Sequence, residues 1–317
     1  MAMDVSQLRT VIHVAELGSL SKAADRLHIA QPALSRQVRL LEEELGVRLF
    51  NRHGRGMVVT EAGQEVLRHA QRIMSELEEI RASVADEDAP LRGHVSIGMP
   101  PTVADILSIP LVSAFRASHP EATLRIVSAY SGYLLDWLHR GQVDVAILFE
   151  TRPSRSLRSI HLLEEVLHLI GPRDADLSEA DPIKFEELAD RRLLLPSSGH
   201  GLRKIVEDCA SEAGVHLKIS VEADSYSTLK NLVKASQGYT ILPLAPIHDE
   251  ISEQRLSHAP LYAPVPVRRI MMSFPSDRPT PRLAKFAGQI LQNTIQELVN
   301  RGAWAGNLPK VTSDDLE

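Results

Sequence analysis

The sequence predicts a multidomain chain of mixed class, α+β at its start and α/β thereafter: a winged helix-turn-helix, a long linker helix, then two α/β lobes. Three observations carry this. Two short amphipathic helices around a tight turn, Ser19–Arg39, are followed at once by a basic hairpin. A heptad-spaced apolar stripe then runs from Val66 to Val84. From Leu91 short apolar strands alternate with helical segments, the texture of sheets covered by helices.

Composition bounds these expectations. At 317 residues, 44% hydrophobic and 24% charged, the chain is long enough for two or three globular domains. It has no apolar run of about 18 residues or more, so a membrane span is not expected. It begins Met-Ala-Met-Asp-Val without a basic and apolar leader, and it has one cysteine, Cys209; both point to a cytoplasmic protein. The net charge of −6 argues against a nucleic-acid partner only until it is localised. Up to Thr60 the chain is mildly basic, with Arg9, Lys22, Arg26, Arg36, Arg39, Arg48, Arg52 and Arg55 against Asp4, Glu16, Asp25, Glu42, Glu43 and Glu44. The acidic excess lies downstream.

In chain order, Asp4 and Gln7 form a capping box for a helix with Leu8, Val11, Ile12 and Ala15 at three-four spacing, which Gly18 ends. Leu20, Ala23, Ala24 and Leu27 share a face of the next helix. Ile29-Ala30 turns the chain, and Gln31-Pro32 opens a third helix, where proline is tolerated because its missing N–H would have had no partner. Leu34, Val38 and Leu41 form its buried stripe. Gln31, Ser35, Arg36 and Arg39 are left on the other face, the amide, hydroxyl and guanidinium groups that a DNA major groove requires. On this stretch alone an ordinary helical hairpin with a solvated face accounts for the pattern equally well. The Glu42-Glu43-Glu44 run should face away from phosphate. Val47–Thr60 reads as a strand, a basic glycine-containing tip and a returning strand. After a helix pair this is a wing, with Arg52 and Arg55 along phosphate or the minor groove; the alternative is a plain exposed hairpin.

A long helix starts after Thr60, and Val66, Ala70, Ile73, Leu77, Ile80 and Val84 form a dimerisation seam along it. Asp86–Pro90 ends it. Strands are expected at His94–Met99, Leu124–Ser128 and Asp144–Phe149, with helices from about Thr102 and Gly132. A second such unit has strands at Leu163–Ile170, Arg192–Leu195, Lys218–Ala223 and Tyr239–Leu242. Strand–helix alternation implies parallel sheets. A late strand, Arg269–Phe274, and a helix, Leu283–Val299, with Phe286, Ile290, Ile295 and Leu298 on its apolar side, suggest a return to the first unit. The polar tail from Gly302 reads as disordered.

Laid end to end, these elements resemble the LysR-type transcriptional regulators. The resemblance rests on Val11–Leu27, Ile29–Gly46, Leu49-Phe50-Asn51-Arg52 and Thr60-Glu61-Ala62-Gly63, and so on the first ~65 residues. The rest matches in element order and length. Val11 and Leu20 depart from the family, which more often has an aromatic there; both lie on apolar faces. The resemblance implies a DNA-binding domain at 1–60, a linker and dimerisation helix at 61–90, an effector-binding domain at 91–301 and a flexible tail at 302–317. The effector domain would have the type 2 periplasmic-binding-protein fold, with lobe I at about 91–163 and 266–301 and lobe II at about 164–265. Gln31, Pro32, Ser35 and Arg36 would lie nearest DNA bases, with Arg39, Arg52 and Arg55 on phosphate and Ser21 also in contact with DNA. The implied partners are promoter DNA, a small anionic metabolite such as a carboxylate as effector, further copies of the chain as a dimer or dimer of dimers, and RNA polymerase.

Three strand ends with hydroxyl or amide groups lead into helices: Met99–Thr102, Pro196–Gly201 and Asp224–Thr228. Each is a helix cap and a potential carboxylate or other anion site. The resemblance places the first two on facing walls of an inter-lobe cleft, which favours Thr102, Ser197 and Ser198 as effector contacts; Pro101, His200 and Ser225, in the same three stretches, are further candidates. Tyr130, Ser131 and Phe149 follow strands and could line the same cleft or pack a hinge. The histidines lack metal-site spacing, and no cofactor is implied. Cys209, on an apolar helix face, reads as a buried small hydrophobe. Motifs of nucleophile elbows, P-loops, dinucleotide folds and zinc proteases are missing, so nothing supports an enzyme. The alternative to a ligand-responsive regulator is a small-molecule-binding protein that acts through protein partners.

Overall fold

The computed structural model describes residues 3–54, 56–83, 91–149 and 154–309, in two compact units that divide between His94 and Val95. The first holds helices α1 (Val5–Leu17), α2 (Leu20–Leu27) and α3 (Gln31–Leu45), strands β1 (Phe50–His53) and β2 (Gly56–Val59), and helix α4 (Glu61–Ser83). The Asp4 carboxylate accepts from the Gln7 N–H at 2.9 Å while the Gln7 amide oxygen accepts from the Asp4 N–H at 3.0 Å. These bonds satisfy donors that the first turn leaves open. Gly18 ends α1 in the left-handed region at φ +58°, and Ser19 caps α2. Pro32 is the second helical residue of α3 rather than the first, behind a bare Ala30 cap. Val11, Val14, Ala23, Ala24, Leu34, Val38, Leu41, Leu49 and Phe50 form one core, where truncating a leucine to alanine costs about 2–5 kcal/mol.

The β1–β2 hairpin pairs from Phe50 opposite Val59 to His53 opposite Gly56. Glycine is required at position 56: φ is +139° and a Cβ there would lie 2.4 Å from the Gly18 carbonyl oxygen. That carbonyl accepts from the Met57 N–H at 2.8 Å, which ties the hairpin to the end of α1. The seam on α4 does two things. Val66 packs on the core of this unit and Ala70 is fully buried, whereas Ile73 and Ile80 are exposed and Leu77 is half-buried. Six equivalent dimer positions were expected; the first two are already covered within the chain. Val84 lies outside the described residues.

The second unit contains two sheets. Strands β3 (Gly93–Met99), β4 (Ala122–Ser128) and β5 (Val145–Phe149) alternate with helices α5 (Pro101–Ser118) and α6 (Ser131–His139); β6 (Leu157–Val166) follows. The chain then passes into β7 (His168–Pro172), β8 (Ile183–Lys184), a 3-10 turn at Phe185–Asp190, β9 (Arg192–Leu195), α7 (Gly201–Glu212), β10 (Lys218–Glu222), α8 (Tyr226–Lys234), β11 (Thr240–Leu242), α9 (His248–Ser252) and β12 (Leu256–Tyr262). It returns with β13 (Val267–Pro275) and α10 (Arg282–Asn300). One sheet has the order β4-β3-β5-β13-β6, and the other β11-β7-β12-β8, with the pair β10-β9 bridged to β11 through Leu193 and Tyr239.

The sheets are mixed rather than parallel. β3 and β5 run parallel, but β13 is antiparallel to both β5 and β6, and β7 is antiparallel to β11 and β12. The stretch Leu163–Ile170, read as one strand, is two. Its first half pairs with β13 in one sheet and its second half with β12 in the other, so the crossing falls at Leu167 and the first sheet extends to Val166. On α10 the buried stripe is Leu283, Ala284, Ala287, Leu291 and Ile295, while Phe286 is exposed and Ile290 half-buried. The spacing 286, 290, 295, 298 slips out of the three-four rhythm that a single face demands.

The segment after Gly302 is also not a loose tail as far as it is described. Trp304 is fully buried, and Asn307 exchanges both backbone hydrogen bonds with Glu164, at 2.8 and 2.9 Å. A Cβ on Gly306 would lie 2.8 Å from the Glu164 carbonyl oxygen, so this close approach needs glycine. Residues 310–317 lie outside the described residues.

Candidate nucleic-acid face and effector cleft

The α3 helix is fixed by its buried side and by polar braces. Gln37 accepts from the Thr10 hydroxyl at 2.6 Å and donates to the Ser6 hydroxyl at 3.0 Å, locking α3 onto α1. Glu42 accepts from the N–H groups of Leu49 at 2.7 Å and Phe50 at 3.2 Å, which sets where the wing begins. Sequence reasoning missed both. Glu42 was hidden inside an acidic run treated as a single block of charge, yet only Glu43 and Glu44 behave as surface acids: Glu43 lies 3.5 Å from Arg39, and Glu44 accepts from the Met3 N–H.

So braced, α3 leaves Gln31, Pro32, Arg36 and Arg39 exposed and Ser35 half-buried, with Ser21 exposed on α2. Arg36 has no partner among the described residues. The wing's Arg52 donates to the Ser35 hydroxyl at 3.3 Å, so a residue of the wing and one of the helix share one polar cluster. Arg55 lies outside the described residues. An outward helix with one unpaired guanidinium, an amide and a hydroxyl, flanked by further cations, can donate to phosphate and to purine edges.

The second site lies where strands of both sheets end. Pro101, Thr102, Tyr130, Phe149 and His200 line a cleft together with Pro100, Pro196, Leu202, Asp224, Tyr226, Leu229, Leu242 and Arg268. The space between these side chains, counting the part open to solvent, is about 390 Å³. β3 and β5 end at this edge, and because β13 runs antiparallel to β5 it begins there, which brings Arg268 into the cleft. Tyr130 closes one side: its hydroxyl donates to the Asp224 carbonyl, and its ring meets that of His200 edge-on at 4.9 Å. Burial and the nearby Asp224 charge push the Tyr130 hydroxyl up.

Of the nine effector contacts expected, Ser131, Ser197, Ser198 and Ser225 are not in the cleft wall. Three of them use their polar groups within the chain. Ser131 accepts from the Phe149 N–H at 3.3 Å, Ser225 caps α8, and Ser198 is exposed. The Ser197 N–H and hydroxyl both donate to Asp224, at 2.9 and 2.7 Å, and these bonds hold that carboxyl below its usual range. The His200 ring caps α7 by accepting from the Leu202 N–H at 3.2 Å. Burial, with the Arg268 charge adding to it against Asp224, lowers its basicity, so the ring is neutral at neutral pH.

The residue that sequence reasoning missed is Arg268. It is 3% exposed and stands opposite Glu165 in the β13–β6 register, with Glu165 1% exposed. Its Nε donates to Glu165 Oε2 at 2.5 Å and its Nη2 to the Thr102 hydroxyl at 3.3 Å, while its guanidinium lies 4.2 Å from the Phe149 ring centre. The other carboxylate oxygen accepts from the Trp304 indole N–H at 2.5 Å. A signal for this pair existed: the doublets Glu164-Glu165 and Arg268-Arg269 sit in strands that pair, and Arg269 meets Glu164 on the opposite face at 3.1 Å.

Comparison with known proteins bears on both sites. Residues 5–64 match the profile "Bacterial regulatory helix-turn-helix protein, lysR family", and residues 88–295 match "LysR substrate binding domain". The nitrogen assimilation regulatory protein nac of Klebsiella aerogenes is 35% identical over 76% of this chain and 78% of its own length. The hydrogen peroxide-inducible genes activator of Pectobacterium carotovorum subsp. carotovorum is 29% identical over 86% of this chain and 90% of its own. Among solved structures, a cysteine-to-aspartate variant of full-length OxyR from Pseudomonas aeruginosa superposes with a TM-score of 0.70 at 24% identity, over 93% of this chain and 95% of the other, a likeness of fold.

Proposed function

The chain belongs to the LysR family of bacterial transcriptional regulators, and we propose that it binds promoter DNA as a dimer or a dimer of dimers and answers to a small molecule held in the cleft. The observation that carries the DNA reading is the unpaired, exposed Arg36 on a helix braced from behind, with the wing's Arg52 beside it. Gln31, Pro32, Ser35 and Arg36 read base edges, and Arg39 and Arg52 hold phosphate. Dimer contact uses α4 beyond Ala70, where Ile73 and Ile80 are exposed and Leu77 is half-buried. Effector binding shifts the population between oligomer arrangements and so the spacing of the two α3 helices on DNA. A regulator that acts on bacterial promoter DNA works in the cytoplasm, and no helix among the described residues is long and apolar enough to cross a membrane. Thiol chemistry is a poor basis for its regulation. Cys209 is the single cysteine and is buried, and burial pushes its thiol up to about 11.

The test is a footprint of the full chain on its operator, with Arg36→Ala and Arg52→Ala. Losing a base contact by Arg36 should weaken binding by about 1–3 kcal/mol and relax specificity at one position, and losing Arg52 should reduce the salt slope by about one. Affinity and slope unchanged in both variants would overturn the assignment.

A further inference from the structure

We infer that the cleft selects an uncharged ligand, one with an apolar body and a hydrogen-bond acceptor at the Thr102–Arg268 end, and disfavours a carboxylate; this rests on the effector reading of the cleft. Among the described residues Arg268 is the only permanent cation lining the cleft, and its charge is neutralised from behind by Glu165 at 2.5 Å, with both groups almost wholly buried. Glu165 is itself held by the Trp304 N–H and cannot swing away without stranding a buried donor. A carboxylate placed on Arg268 would therefore add an unpaired negative charge to a neutral buried pair, which such an interior does not tolerate. The mouth adds to the bias, since Asp224 is a carboxylate and the His200 ring beside it is neutral.

The backbone at the start of α5 does not make up the deficit. In the first turn of α5, Pro101 has no N–H, and those of Val103 and Ala104 donate to the Pro100 carbonyl at 3.0 and 2.9 Å. Only the Thr102 N–H is left there, too little for an anion nest. The rest of the wall is apolar or aromatic: Pro100, Phe149, Leu202, Tyr226, Leu229 and Leu242. A neutral carbonyl or hydroxyl can accept from the Arg268 guanidinium or the Thr102 hydroxyl without altering the charge balance, while its apolar part covers these side chains.

Thermal unfolding of the full chain with matched acid and amide probes tests this: acetate and acetamide, isobutyrate and isobutyramide, benzoate and benzamide. At neutral pH at least one amide should stabilise the wild-type chain, with an apparent Kd at least about tenfold below that of its acid, a difference of about 1.4 kcal/mol. Glu165→Gln leaves Arg268 uncompensated and should reverse the order. Should that variant fail to fold, Asp224→Asn keeps the bonds from Ser197, removes the charge at the mouth and should narrow the gap. An acid preferred by the wild-type chain, or a ratio unmoved in every variant that folds, overturns the charge argument and leaves cleft binding intact. Stabilisation by none of the six overturns the small uncharged class. The effector reading stands or falls separately, on whether metabolites change the operator footprint.

Discussion

Ending the chain at Gly302 tests whether the last described segment belongs to the fold. The cut removes Trp304, which is fully buried, and the two backbone bonds between Asn307 and Glu164. A tryptophan side chain buries roughly 150–250 Å², worth about 4–6 kcal/mol at about 25 cal/mol per Å². That is an upper figure, because the unfolded chain already covers part of the ring. The lost indole N–H adds about 1–3 kcal/mol, since Glu165 is left with an unsatisfied buried oxygen. A net loss of about 4–6 kcal/mol is expected after these opposing corrections. The chain has two tryptophans, Trp137 and Trp304, and both lie in the same compact unit, so Trp137 fluorescence during urea unfolding reports on that unit in the truncated chain. Trp304→Phe retains a ring but no donor and should lose about 1.5–3 kcal/mol, the worth of a hydrogen bond to a charged group. A truncated chain with an unchanged midpoint and slope would refute the reasoning and return residues 302–309 to the status of a tail.

Two further outcomes follow from polar groups outside the sites. His168 and His258 stack edge-on at 5.4 Å between β7 and β12; burial and the His258 charge push His168 down to about 4, against the pull of Glu179, and burial lowers His258 as well. The unfolded chain then binds more protons between about 4 and 6.5, so stability should fall as pH drops through that window, by about 1–2 kcal/mol for His168 once solvent screening of its partly open ring is allowed for; His168→Gln should flatten the urea midpoint against pH, and an equally steep curve in the variant would count against this origin. Glu42→Ala leaves the Leu49 and Phe50 N–H groups without their acceptor and should cost about 1–3 kcal/mol in the unit that holds the wing, read by hydrogen exchange of those two amides, whereas Glu43→Ala should change neither amide.

The first unit was legible because its instructions are local. The capping pair Asp4 and Gln7, the αL glycine at 18 and the stripe Leu34, Val38 and Leu41 all act within a few residues, and each forms as read. What escaped was the use made of charged or apolar residues by distant parts of the chain. Glu42 looks like Glu43 and Glu44 until the wing folds back and presents two N–H groups to it. Val66 and Ala70 look like dimer positions until α4 lies on α1. The strand ends around Thr102, Pro196 and Asp224 lie where they were read, and of the hydroxyls singled out there Ser197 holds Asp224 and Ser225 caps α8. A hydroxyl at a helix start carries no local mark of which partner it takes.

The centre of the cleft was illegible for a more specific reason. Arg268 and Glu165 are 103 residues apart, and each sits beside a residue of the same kind. Alternation along a strand sends Arg268 and Glu165 to the buried face and Arg269 and Glu164 to the exposed one, so a slip of one residue would exchange an interior pair for a surface pair. The sequence of either strand alone permits both registers. What distinguishes them is a third segment: Trp304 needs an acceptor in the interior, and Asn307 pairs with the backbone of Glu164, so the end of the chain grips the same two residues whose register decides which arginine enters the cleft. The register irregularity between Ile270 and Met271 limits how far such a choice propagates along β13. The C-terminal segment is thus part of the cleft's specification although it contributes no wall to it, and the charge state of the cleft is fixed by pairing among three stretches of sequence that have no local knowledge of one another.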